Sequence, residues 1–237
     1  MNSGEFRTPL IIYLDGFTAT ATPTEDDHIS FVHYLHLTLR IGTKSYDLSS
    51  ATKYSYELNE LLLMSERYAD HNIKVVTVHN SSFAADKNGT MYLDEVKLTF
   101  SNVMDIISDS EVGNPEKEDV ISKIVTNYLV YRHFKTKGYI LKDGLKYGAD
   151  FIVYKLDPEL SHSLYTILIC NFNEYNAGDY CEVLIDDMRY KIKLRVIDWK
   201  KIISLARLCE SVSKGLLLVN YNFDENSVES VQITRFK

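Results

Sequence analysis

The sequence predicts a protein of mixed α/β (α+β) class in two domains: a small α/β amino-terminal domain over residues 1–112 and a mixed-sheet α/β domain over residues 113–237. Three observations predict this. Stretches in which apolar residues alternate, the strand period, take turns with stretches in which they recur three and four apart, the helix period. A polar segment near the middle, "SDSEVGNPEKED" at residues 108–119, carries Gly113 and Pro115 and reads as a linker. Beyond it the chain reads as strands with one further helix, including a long hairpin, "CEVLIDDMRYKIKLRV", that turns at Asp186-Asp187.

Taken in order, residues 30–41, "SFVHYLHLTLRI", place Phe31, His33, Leu35, Leu37, Leu39 and Ile41 on one face, which predicts a strand. His33 and His36 then lie on opposite faces and cannot form a pair. "YELNELLLMSERYADHN" reads as a helix stopping at Asn72, and "IKVVTVH" as a strand. After a "DKNGT" turn, Leu93, Val96, Phe100, Val103 and Ile107 step by three and four, the spacing of a helix face turned to a core. Asn114 and Pro115 supply an N-cap and first turn for a helix through "VISKIVTNYLVYRHFKTK" that stops near Gly138. "YIL" and "DFIVYKL" flank a turn at Asp143-Gly144, and "SLYTILICNF" follows as a strand. Asp198 is expected to cap the helix "WKKIISLARLCESVSK", with "GLLLVNYNF" and "SVESVQITRF" as the last strands.

Composition bounds the function. Hydrophobic content of 45% and charge of 25% are those of an ordinary globular protein. No run of 18 apolar residues exists, so no membrane-spanning helix is expected. The apolar stretch within "MNSGEFRTPLIIYLDG" is too short for a secretory signal. Cys170, Cys181 and Cys209 form no paired motif, which predicts reduced thiols in an intracellular protein. No Cys/His spacing suggests zinc, and no metal or other cofactor is expected. A net charge of -7 argues, for the whole chain, against nucleic-acid binding. The charge is uneven, however: residues 128–237 hold 16 Lys and Arg against 14 Asp and Glu, and residues 1–127 hold 10 against 19. The second half therefore permits a phosphate-bearing ligand, while the acidic first half keeps a protein soluble or docks a basic partner. There is no P-loop, no Gly-x-Gly-x-x-Gly and no Gly-x-Ser-x-Gly. A restriction-type nuclease needs an acidic residue followed downstream by Glu-x-Lys to hold magnesium and activate water. The Glu-x-Lys of this chain, Glu95-Val96-Lys97, lies upstream of Asp150. Asp150 accordingly reads as a structural, backbone-bonding carboxylate.

Three residues draw attention in the second half, each with an ordinary explanation. Tyr154 ends an apolar strand, where a half-buried packing tyrosine with a wet hydroxyl is common. His162 sits between two serines at a turn. Lys214 follows a helix, where a cation complements the helix dipole and Gly215 is the natural stop. Their surroundings join them. "YLVYRHFKTKGYILKDGLKYGADFIVYK…SHSLY…SLARLCESVSKGLLL" resembles the catalytic domain of the tRNA-splicing endonucleases, from about Tyr128 to Asp224. The resemblance rests on an aromatic-Gly-x-Asp-Phe segment ending in Tyr, on a His-Ser loop, and on an Arg followed seven residues later by Lys. These are Tyr147-Gly148-Ala149-Asp150-Phe151 ending in Tyr154, then His162-Ser163, then Arg207 and Lys214. Trp199-Lys200 and Val212-Ser213-Lys214 are similar in particular to the eukaryotic subunit that cuts the 5′ exon–intron junction.

The resemblance implies a tRNA-intron-endonuclease-like (restriction-endonuclease-like) fold for the second domain. It implies a metal-independent RNA endonuclease that removes introns from precursor tRNA by 2′-OH transesterification, leaving a 2′,3′-cyclic phosphate and a 5′-OH. It assigns Tyr154 to taking the 2′-OH proton, His162 to protonating the leaving 5′ oxygen and Lys214 to stabilising the phosphorane. A phenol is a weak base at neutral pH, and a neighbouring cation favours its phenolate; an imidazole titrates in the range a proton donor needs; an ammonium suits the growing charge. Arg207, two helical turns before Lys214, either stacks on a base flanking the cut or pairs with a carboxylate. Trp199 and Tyr147 are expected to pack. The separation of His162 from Lys214 is longer than in the compact archaeal enzymes, with the excess in "NEYNAGDYCEVLIDDMRYK", where an acidic turn at Asp186-Asp187 could dock on a partner. The implied partners are precursor tRNA and the other subunits, a second catalytic one and two structural ones, in a nuclear heterotetramer. A non-catalytic structural subunit of the same complex and an archaeal-type self-assembling enzyme are the alternatives.

Overall fold

A computed structural model describes residues 6, 8–15, 17–46, 52–77, 95–171, 180–196, 198–223 and 225–234, and the chain divides into two compact units, residues 1–117 and 118–237. The first unit comprises β1 (Leu10–Asp15), β2 (Thr18–Ala21), α1 (Asp26–Leu37), β3 (Thr43–Tyr46), β4 (Thr52–Glu57), α2 (Leu58–Arg67), β5 (Ile73–Thr77), β6 (Glu95–Lys97) and α3 (Phe100–Ser110). Its strands form one sheet in the order β3-β4-β2-β1-β5-β6, with β1 parallel to β5 and antiparallel to β2.

Two expectations fail here, each for a physical reason. Residues 30–41 do not form a strand; most of them belong to α1. Its buried residues are His28, Phe31, Val32 and Leu35, the i, i+3, i+4, i+7 face of a helix. Phe31 and Leu35 satisfy both periods, so His28 and Val32 decide, and Asp26 and Asp27 in the first turn complement the dipole. His33 is exposed and His36 Nδ1 lies 3.1 Å from the Gly42 carbonyl oxygen. The stripe from Leu93 to Ile107 is likewise not one helix. Val96 belongs to β6, and the Thr99 hydroxyl accepts the Asn102 N–H at 3.2 Å, so α3 starts at Phe100 and buries Phe100, Val103, Met104 and Ile107. Leu93 and the "DKNGT" turn lie outside the described residues. The helix expected from Tyr56 starts later, at Leu58, because Glu57 and Glu60 form a reciprocal cap, the Glu57 N–H donating to Glu60 Oε2 at 3.0 Å.

The second unit comprises α4 (Lys117–Thr136), β7 (Ile140–Asp143), a single 3-10 turn (Leu145–Tyr147), β8 (Phe151–Tyr154), β9 (Tyr165–Ile169), β10 (Tyr180–Ile185), β11 (Met188–Lys193), α5 (Trp199–Ser211), β12 (Gly215–Asn222) and β13 (Ser227–Ile233). Local signals place most of these. Asn114 Oδ1 accepts the Glu116 N–H at 2.9 Å just before α4. Asp186 and Asp187, at φ 52° and 62°, are both left-handed and turn β10 into β11, as the sequence predicts. Asp198 accepts the Lys200 and Lys201 N–H groups at 3.0 and 3.2 Å and caps α5.

Five strands form a mixed sheet in the order β13-β12-β9-β8-β7. The central strand β9 is antiparallel to β8 and parallel to β12. Helix α5 covers one face, packing Ile202, Leu205, Ala206 and Cys209 against Leu168, Cys170, Leu216 and Leu218. Phe151 and Ile167, paired across β8 and β9, point to the other face, where the Tyr131 ring of α4 approaches Phe151 to 6.2 Å. Burial on both faces explains why β9 runs Ile167-Leu168-Ile169 without polar alternation. Among the described residues no helix is long and apolar enough to cross a membrane.

Asp150 opens β8 and has the structural role its position suggests. Its Oδ2 accepts the Ile169 N–H at 2.8 Å and its Oδ1 accepts Arg195 Nη1 at 2.7 Å, while Arg195 Nη2 donates to Asn127 Oδ1 at 2.9 Å. The carboxylate thus ties β9 to the segment leaving β11 and, through Arg195, to α4. Asp150→Ala leaves a largely buried N–H and one arm of the Arg195 guanidinium without their acceptor, and should destabilise the second unit by about 3 kcal/mol in urea denaturation, with faster hydrogen exchange at Ile169.

Cys170 lies beside this network. Burial, reinforced by the Asp150 carboxylate and partly opposed by Arg195, pushes its thiol up to about 11. Cys181 is half-buried and Cys209 buried, and all three are free thiols. At pH 8 the Cys170 thiolate is therefore scarce. Iodoacetamide should label Cys181 first, with Cys170 and Cys209 reacting only on unfolding, as read by mass spectrometry of peptides.

Candidate active site

The sheet's register brings the three singled-out residues to one rim. Val153 of β8, Tyr165 of β9 and Gly215 of β12 lie in one row across adjacent strands. Just beyond that row the Leu164 N–H donates to the Val153 carbonyl at 2.8 Å, and the Gly215 N–H donates to the Leu164 carbonyl at 3.0 Å. Tyr154 is one residue past Val153, His162 two residues before Leu164, and Lys214 one residue before Gly215. Residues 60 positions apart in the chain are thereby held by backbone bonds at the same end of the sheet. A phenol, an imidazole and an ammonium at one rim are a set able to remove a proton, deliver one and stabilise negative charge.

Each arrives by a different local device. Tyr154, half-buried, is the last residue of β8. His162 is exposed and follows a turn built on Asp157, whose Oδ1 accepts the Glu159 N–H at 3.0 Å and whose carbonyl accepts the Leu160 N–H and the Ser161 hydroxyl, each at 3.0 Å. Ser163, next to it, is buried. Lys214 leaves the end of α5 through Ser213 at φ 55°, and its N–H donates to the Cys209 carbonyl at 2.8 Å. The left-handed residue is thus Ser213, and Gly215 is not the helix stop that the sequence suggests. Gly215 serves a close approach instead: a Cβ there would lie 2.7 Å from Tyr165 Cδ1 and 2.9 Å from Cε1. A cleft of about 330 Å³ opens beside Lys214, lined among others by Glu210, Ser213, Gln232 and Thr234.

The remaining expectations divide. Arg207 is exposed on α5, but Lys214 lies beyond the helix, so a shared helical face does not relate the two. Trp199 does not pack: it is 62% exposed at the start of α5, because the buried face of that helix falls on Ile202, Leu205, Ala206 and Cys209. Tyr147 is only half-buried, and the Lys214 ammonium lies over its ring, 5.8 Å from the centroid. It is therefore not the core residue expected, and nothing local could reveal a contact between residues 67 apart.

A mixed five-stranded sheet between α4 and α5, with a tyrosine, a histidine and a lysine at one rim, is the class of domain that fold and site define. Residues 124–229, most of the second unit, match the family tRNA intron endonuclease, catalytic C-terminal domain. The chain is 33% identical over 93 residues to mouse tRNA-splicing endonuclease subunit Sen2, a match covering 39% of this chain and 17% of the mouse protein. It is 35% identical over 103 residues to Arabidopsis thaliana subunit Sen2-2, covering 43% and 34%. It is 42% identical over 55 residues to a tRNA-splicing endonuclease of Saccharolobus islandicus, covering 23% and 30%. The chain thus spans about a sixth to a third of the length of these relatives.

The close packing at Gly215 is testable. Gly215→Ala forces the Tyr165 ring or β12 to shift, an overpacking that should cost about 1–3 kcal/mol in thermal unfolding of the second unit.

Proposed function

We propose that the chain is a catalytic subunit of a tRNA-splicing endonuclease, cutting precursor tRNA with the 5′ splice site favoured. The observation that supports this most is the backbone register that puts the positions of Tyr154, His162 and Lys214 at one end of the sheet, inside the family-matched region. In the proposed reaction Tyr154 accepts the ribose 2′-OH proton as the 2′ oxygen attacks the adjacent phosphorus. The bond to the 5′ oxygen breaks, and His162 gives that oxygen its proton. Lys214 stabilises the charge of the phosphorane between the two steps, and the products carry a 2′,3′-cyclic phosphate and a 5′-OH. Proton transfers of this kind contribute about 10²–10⁴-fold each. The exposed position of His162 and the cleft beside Lys214 support the reading, since a phosphodiester must reach both groups.

The proposal includes the setting: a nuclear heterotetramer with a second catalytic and two structural subunits, and no need of a metal ion. Arg207, exposed on α5, is proposed to stack on an unpaired base beside the cut.

His162→Ala should abolish cleavage at one junction of a precursor tRNA, with assembly intact by gel filtration and the other junction still cut. Cleavage should persist in excess EDTA and yield cyclic-phosphate ends. Undiminished cutting at both junctions by the variant overturns the assignment; activity of the purified chain alone identifies the self-assembling form.

A further inference from the structure

We infer that Tyr147, on the turn between β7 and β8, is a positioning residue for Lys214, its ring face holding the ammonium. The inference rests on the proposed role of Lys214 and assigns a function to a residue which that reaction does not otherwise use.

The contact is direct: the Lys214 Nζ lies over the Tyr147 ring, 5.8 Å from its centroid, within the range in which the negative face of an aromatic ring attracts a cation. Lysine has a flexible four-carbon stem, and fixing its head in one place costs rotamer entropy that the backbone at Lys214 does nothing to reduce. A ring can localise the head only from a fixed backbone, and the turn that carries it is tightly held. Tyr147 ends the 3-10 turn, and its N–H donates to the Gly144 carbonyl at 2.8 Å, as does the Ala149 N–H at 3.2 Å. The Gly144 N–H donates to the Asp150 carbonyl at 3.2 Å, and Asp143 Oδ1 accepts the Leu145 N–H at 2.7 Å. The turn is packed so closely that a Cβ on Gly144 would sit 2.7 Å from the Phe151 nitrogen and 2.9 Å from the Ala149 carbonyl. The same turn contacts α5, the helix that delivers Lys214. A rigid loop on one side and the end of a packed helix on the other thus meet at a ring and an ammonium. The hydroxyl of Tyr147 plays no part in this; the ring does.

That distinction sets the test, which uses the full chain in its assembly with precursor tRNA under single-turnover conditions. Tyr147→Phe keeps the ring and should stay within about twofold of wild type, whereas Tyr147→Leu should lower the cleavage rate about fivefold without weakening substrate binding. In a Lys214→Ala background Tyr147→Leu should cause no further loss, because the two residues act as one unit. An equal loss in both backgrounds overturns the proposal, since a structural defect would not depend on Lys214. A second readout needs no activity. In the full chain with labelled lysine, the Lys214 ε-methylene protons should show an upfield ring-current shift in wild type and Tyr147→Phe, and lose it in Tyr147→Leu. Absence of that shift in wild type overturns the contact. If the wild-type assembly fails to cut precursor tRNA, the functional reading falls while the methylene shift still decides whether the ring holds the ammonium.

Discussion

The candidate site depends on the two opposite neighbours of β9. Because β8 runs antiparallel to it, β8 ends where β9 begins; because β12 runs parallel, β12 begins there too. One carboxy-terminal and two amino-terminal strand ends therefore share a rim, so the backbone brings a tyrosine, a histidine and a lysine far apart in sequence to one end of the sheet without any long excursion. The arrangement tolerates no slip, since a shift of one residue would turn each strand's side chains to the opposite face. Asp150 guards against that from the far end of β8. Its N–H donates to the Ile167 carbonyl at 2.9 Å and its carboxylate accepts the Ile169 N–H, so it grips β9 at two successive acceptor and donor positions. A residue that touches no candidate catalytic group thus sets where those groups stand.

The connections that carry His162, Lys214 and Tyr147 complement this rigid sheet. Each is closed by its own hydrogen bonds: the Gly144 carbonyl gathers two N–H groups, Asp157 gathers three donors, and the Cys209 carbonyl holds the Lys214 N–H. Such loops present side chains at an exposed edge without paying for order through burial, which a rim open to a large substrate cannot supply. Only Lys214 combines a long flexible stem with a place in the proposed charge stabilisation, and it is the residue that lies over a ring.

What the sequence revealed follows the range of the forces involved. Asp198, the Asp186-Asp187 turn and the stop near Gly138 act within a few residues, and the structure has each of them. Periodicity failed where one set of residues fits two templates. Phe31 and Leu35 obey both the strand and the helix period, and the step from Val96 to Phe100 spans a strand–helix junction yet mimics a helical turn. Trp199 misled because a helix's first residue need not lie on its buried face. The rim itself could not be read from spacing at all. Tyr154, His162 and Lys214 come to one end of the sheet through strand register, a property of pairings rather than of any window of sequence, and they were singled out through resemblance. The contact of Tyr147 with Lys214 had neither signal.

The charge distribution bears on how such a rim would engage RNA. Affinity for a polyanion comes mainly from neutralising phosphates, and it scales with the number of cations that reach them. Residues 128–237 hold only two more basic than acidic side chains, and the first half is acidic. On the proposed reading the chain therefore supplies chemistry more than binding: three groups at a rim suffice to break one phosphodiester, but they cannot hold a folded tRNA. Partner surfaces that add cations would strengthen the grip on the substrate, which favours the proposed assembly independently of any resemblance. On the same proposed reading the acidic half is suited to meeting basic protein partners, since its charge repels RNA.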